Sequence, residues 1–82
     1  MFGLFGSFDG ALVGEKLPEN SKHAVEALFS RHYNVRRVTK GHYGDNRYIV
    51  ELRDGHYLNV RTDTGYTMFN QPFTYIRDVS KA

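Results

Sequence analysis

The chain has 82 residues, with 11 Lys and Arg against 9 Asp and Glu, 4 His, no Cys and no Trp. That length holds one small domain with a thin stability margin, not two. The lack of cysteine excludes a disulfide framework, a thiolate zinc site and a cysteine nucleophile, and 40% hydrophobic with 15% aromatic residues argues against a disordered chain.

Net charge is only +2, too small to imply a nucleic-acid partner by itself, but it is unevenly spread. Residues 1–30 carry Lys16 and Lys22 against Asp9, Glu15, Glu19 and Glu26, a net of −2. Residues 31–61 carry Arg31, Arg36, Arg37, Lys40, Arg47, Arg53 and Arg61 against Asp45, Glu51 and Asp54, a net of +4. Arginine dominates this middle third, and its planar fork suits stacking and paired hydrogen bonds.

Residues 1–16 are rich in Gly and Phe. Phe2, Leu4, Phe5 and Phe8 are separated by Gly3 and Gly6, which argues against a regular helix and falls far short of a membrane span. No basic residue precedes the apolar part, so no secretory signal is expected; the expected location is cytoplasmic, without membrane contact. These four hydrophobes either cover the core of their own chain or pair two copies as a homodimer.

Residues 18–33 predict a helix. Pro18 suits a first helical turn, and an alternative start puts Asn20 or Ser21 at the N-cap. Val25, Leu28, Phe29 and His32 fall on one face, flanked by Ala24, while Lys22, Glu26 and Ser30 face away. Asn34 is the expected left-handed stop.

From Tyr33 the period becomes two. Val35 to Lys40 predicts an edge strand in which Val35 and Val38 share a face only through a bulge, and Arg36 and Arg37 point to opposite faces. Tyr48, Val50 and Leu52 alternate with Arg47, Ile49 and Glu51; Leu58 and Val60 alternate with Tyr57, Asn59 and Arg61. A two-residue turn at Asp54-Gly55 would mix the two faces. A three-residue turn, Arg53-Asp54-Gly55, pairs Val50 with Leu58 and Tyr48 with Val60, with Gly55 left-handed. The same logic predicts a turn at Asp63-Thr64-Gly65 that pairs Val60 with Met68. A last strand is predicted over residues 73–79, with Phe73, Tyr75 and Val79 on one side and Thr74 and Ile76 on the other.

In this reading the helix covers Tyr48, Val50, Leu52, Leu58, Val60 and Met68. The outer face then carries Arg47, Ile49, Glu51, Tyr57, Asn59, Arg61, Thr67 and Phe69. Arg47 faces Arg61, and Ile49, Asn59 and Phe69 share a row. Arg beside Arg with aromatics nearby is the composition of an interface, and also of sheet surfaces that stack bases.

His42, Asp45 and Asp63 lie at one sheet end, and His32, Asp54 and His56 at the other. Neither set has a ligand-spacing signature, so no metal or cofactor is expected. Phosphate-loop, nucleophile-elbow and paired-carboxylate motifs are missing, so no enzyme is expected. A helix followed by short antiparallel strands resembles, in element order only, the small barrel of Sm-like proteins and part of the double-stranded RNA-binding domain. None of either family's motif residues is present, so the likeness assigns no site.

The expectation is a single α+β domain, with one amphipathic helix on an antiparallel four- or five-stranded meander. The expected function is a small regulatory or adaptor module that binds a protein partner through Arg36, Arg47, Tyr57, Asn59, Arg61 and Phe69. The alternative is RNA or single-stranded nucleic acid on the same face.

Overall fold

The computed structural model describes residues 12–41 and 44–82, and six elements lie among them. They are β1 (Lys16–Leu17), α1 (Lys22–Ser30), β2 (Val35–Lys40), β3 (Arg47–Leu52), β4 (Tyr57–Tyr66) and β5 (Pro72–Lys81). The strands form one antiparallel sheet in the order β1-β5-β4-β3-β2. The fold class is as expected: α+β, a helix on a meander, with β1 added beside β5. The helix touches both edge strands, β1 and β2, as well as β3, so the sheet curls around it.

Helix α1 is shorter than residues 18–33. The Ser21 hydroxyl accepts the Ala24 N–H at 3.1 Å and sets the start, leaving Pro18 outside. Ala24, Val25, Leu28 and Phe29 are buried, but His32 lies beyond the helix and is exposed. Asn34 is not left-handed; its carbonyl accepts the Arg53 N–H at 2.9 Å and so belongs to the sheet's pairing.

The β3–β4 turn is the three-residue one. Leu52 N–H bonds to His56 O at 2.8 Å, and Gly55 sits at φ +97°, a conformation that would strain any side chain. Tyr48 pairs with Val60 and Val50 with Leu58, so Tyr48, Val50, Leu52, Leu58 and Val60 all enter the core.

The second expected turn does not exist. Strand β4 runs through Asp63, Thr64 and Gly65, pairing Asp63 with Tyr75 and Gly65 with Phe73. Gly65 makes room for a ring: a Cβ there would lie 2.7 Å from Phe73 Cζ. The chain reverses instead at Thr67–Gln71. There the Thr67 hydroxyl accepts the N–H groups of Phe69 and Gln71, both at 3.2 Å, and Asn70 takes φ 60°. Met68 is therefore 90% exposed rather than in the core, and Phe69 is 78% exposed at the hairpin tip.

Two bulges reshape the outer strands. The one between Val35 and Arg37 brings Arg36 and Arg37 to the same carboxylate, so they do not point to opposite faces. The other gives β5 an extra residue, Arg77, between Ile76 and Asp78. Ile76 and Val79 consequently share the buried face, and Val79 does not align with Phe73 and Tyr75.

Leu12 and Leu17 complete the core beside β5, with Gly14 N–H bonded to Ile76 O at 2.8 Å. Among the described residues, the core's polar corner centres on the Asn20 side chain. Its carbonyl oxygen accepts the hydroxyls of Tyr48 at 2.7 Å and Thr62 at 3.1 Å, and its amide donates to Asn46 Oδ1 at 3.0 Å. Tyr48 and Thr62 are each about 1% exposed, whereas Asn20 is itself exposed and joins this corner to the surface. Burial, and secondarily the Asp45 charge, raises the Tyr48 phenol pKa above its ordinary value.

Asn20→Ala removes the acceptor the two hydroxyls share, leaving Thr62 only Asn46 O at 3.4 Å, and should cost about 1 kcal/mol, read as a lower midpoint in urea unfolding. Tyr48→Phe should cost less in the Asn20→Ala background than in the native one. Additive losses in that double-mutant cycle would show that the two groups are not coupled.

Candidate functional site

The register of the four long strands fixes what stands on the outer face. Directly paired residues point the same way, so the face can be read in rows across the sheet. One row is Arg37, Glu51 and Tyr57; the next is Thr39, Ile49, Asn59 and Ser80. The third is Arg47, Arg61 and Asp78, and the fourth is Asp63, Tyr75 and Lys16. Gly65 and Phe73 follow.

Four of the expected residues, Arg47, Tyr57, Asn59 and Arg61, stand together on this face. Arg36 lies at its β2 edge, with Nε 3.7 Å from Glu51. Phe69 does not belong with them. It lies eight residues beyond Arg61 in sequence, on the order of 20 Å along the hairpin. Phe2, Leu4, Phe5 and Phe8 lie outside the described residues, as does His42. Among the described residues, no three His, Asp or Glu side chains group so as to hold a metal.

Arg47 and Arg61 form the centre. They separate two shallow recesses, one of about 320 Å3 bounded by Gly41, Ile49, Asn59, Asp78 and Ser80, the other of about 280 Å3 bounded by Asp45, Asn46, Asp63 and Arg77. Gly41 donates its N–H to Arg47 O at 2.8 Å, and a Cβ on it would come within 2.9 Å of Arg47 Cβ. A glycine there leaves the β2 end of this row without a side chain. The first recess opens beside it.

Charges on the face are interleaved. Glu51, with its side chain 19% exposed, takes Arg37 at 3.1 Å as well as Arg36; Asp63 takes Arg77 at 2.8 Å; Asp78 stands 3.8 Å from Arg61. Arg47 has no carboxylate within ion-pair distance among the described residues. Arg61 Nε is enclosed and has no hydrogen-bond acceptor among the described residues. Like charges facing across strands are unfavourable by a few tenths of a kcal/mol up to about 1. Exposed ion pairs return only about 0–1 kcal/mol. The arrangement therefore contributes little to folding.

Lys16, Phe73 and Tyr75 were not legible as site residues. The Lys16 ammonium lies 4.6 Å from the Phe73 ring centre, and the Phe73 and Tyr75 rings are 5.8 Å apart. Once Gly65 is placed in a strand instead of a turn, the need for a ring opposite it is the signal that could have found them. No family model, curated protein or solved structure matches the chain. No helix among the described residues is long and apolar enough to cross a membrane.

The Thr64 backbone N–H, which bonds to Asp63 at 2.8 Å, holds the Asp63 carboxyl below its ordinary value; partial desolvation opposes this, and Arg77 reinforces it. A carboxylate with a lowered native pKa stabilises the fold above its unfolded pKa, at about pH 4. That contribution fades as pH falls through the native value. Asp63→Asn should therefore melt below the native protein at pH 7, with the gap closing as pH is stepped toward 2. A gap independent of pH would mean that the carboxylate's charge plays no part.

Proposed function

We propose that the chain is a small non-enzymatic binding module that engages a protein partner through the outer face of β2–β5, centred on Arg47, Arg61, Asn59 and Ile49. The observation that carries this reading is the interleaving of charges. Glu51, Asp63 and Asp78 stand among Arg36, Arg37, Arg61 and Arg77 on one surface. A polypeptide surface answers such a pattern residue by residue, and the pattern also selects against wrong partners.

Nucleic acid fits the face less well. A phosphate backbone would meet three carboxylates along with the arginines, and its affinity rests on uncompensated positive charge. Base stacking needs open rings. Phe73 is roofed by Lys16, and among the described residues only Tyr57, 46% exposed, stands clear on the face. Ile49 in the middle row supplies apolar contact where an interface core needs it.

The test is affinity capture with the native chain, Arg47→Glu and, as a control at the end of α1 away from the face, Arg31→Glu. A discrete protein held by the native chain and Arg31→Glu, and lost with Arg47→Glu, supports the reading. A partner held equally by all three refutes it. So does recovery of nucleic acid alone, released steeply by salt.

A further inference from the structure

Within that face, we infer that Arg47 and Arg61 form a seat for an oxyanion, the carboxylate or phosphoryl group of whatever docks there. The inference deepens the protein-binding reading and rests on it for biological meaning, but the seat stands on its own geometry. Arg47 and Arg61 are direct partners across β3 and β4, so both guanidinium groups rise from one row of the outer face. Both side chains border both recesses.

Each guanidinium carries five donors and no acceptor. Neither finds a hydrogen-bond acceptor among the described residues. The nearest carboxylate, Asp78, stands 3.8 Å from Arg61 Nη2, an ion-pair distance too long for a hydrogen bond. Arg61 Nε is enclosed without an acceptor among the described residues, so the open donors of this 40% exposed side chain are its Nη groups. Arg77, the third arginine nearby, is not available, because Asp63 holds it at 2.8 Å.

An oxyanion placed between Arg47 and Arg61 would answer three features together. It supplies acceptors to two forks, it turns a like-charge pair into two charge-assisted contacts, and it fills the recess that Gly41, Arg47 and Asn59 border. Asn59 and Ser80, paired in the neighbouring row, border the same recess and can add an amide and a hydroxyl donor. Asp78 at the rim opposes a second negative charge, which favours a singly charged group over a dianion.

Acetate and inorganic phosphate serve as probes, each titrated at constant ionic strength while the arginine Nε–H signals of the isotope-labelled chain are followed by NMR. The seat requires saturable shifts at Arg47 and Arg61, with Arg53 in the β3–β4 turn unmoved. Saturation with acetate assigns a carboxylate, with phosphate a phosphoryl group, and with both a general oxyanion site. Arg47→Gln should weaken the probe about tenfold, as expected for loss of one charge-assisted contact; the backbone amide spectrum verifies that the variant is folded. Linear shifts of similar size at Arg47, Arg61 and Arg53 would reduce the effect to screening and overturn the seat, and that result needs no variant. Saturable probe binding together with a protein partner indifferent to Arg47→Glu would leave the seat standing and remove the protein-binding reading. Loss of the partner without saturable probe binding would do the reverse.

Discussion

Gly55, held at φ +97°, keeps β3 and β4 in the one register that sends Tyr48, Val50, Leu58 and Val60 inward. A one-residue slip would turn one strand over relative to the other and mix the two faces. It would put either Arg47 and Ile49 or Asn59 and Arg61 against the helix, and the large hydrophobes of that strand in water. The core and the candidate binding face are thus two sides of one pairing. The face cannot move without the core being lost, which gives it the rigidity a recognition surface needs.

The bulges then decide what the flanking strands add. A regular β2 would have divided Arg36 and Arg37 between the faces; the extra residue sends both to Glu51. A regular β5 would have continued the alternation from Ile76 to Asp78, with Asp78 inward; the extra residue, Arg77, instead puts Val79 in the core and Asp78 beside Arg61. Both irregularities act alike: a strand at or next to the sheet edge gains one polar residue on the outer side while its apolar residues stay in register with the helix. The charge pattern of the face is therefore a product of backbone irregularity as much as of composition.

This explains which parts of the structure could be read from residues alone. The β3–β4 hairpin was legible because alternation and turn chemistry agree there, and the β2 bulge because two valines three apart cannot otherwise share a face. The turn at Asp63-Thr64-Gly65 looked equally sound, since Asp-Thr-Gly has the same local chemistry as Arg53-Asp54-Gly55. What separates them is non-local. Asp63 is committed to Arg77, fourteen residues away, and Gly65 lies beneath the ring of Phe73. Met68 and Phe69 were misplaced as a direct result. Asn20 was read as a possible cap, whereas its partners Tyr48 and Thr62 lie 28 and 42 residues on, beyond any local pattern. Arg47 and Arg61 were found facing each other because they depend on the one turn whose local signal was sufficient.

Stability and the proposed recognition would consequently rest on different atoms. The core is apolar apart from the Tyr48–Thr62–Asn20 corner, and its large buried side chains, Phe29 among them, each contribute on the order of 3 kcal/mol or more when compared with alanine. The outer face holds exposed ion pairs of little net worth and an arginine pair that opposes folding. In an 82-residue domain with a stability of only about 5–10 kcal/mol, a term that opposes folding is costly to keep. Substitution of Arg47 should leave the fold nearly as stable or more so, because repulsion is removed and no hydrogen bond to the described residues is lost; at Arg61 the ion pair with Asp78 is lost as well. Effects of such substitutions on binding can then be read as effects on contact with a partner and not on folding. The distinction is sharpest at Arg47, whose side chain faces another arginine across the pairing and has no carboxylate of its own among the described residues.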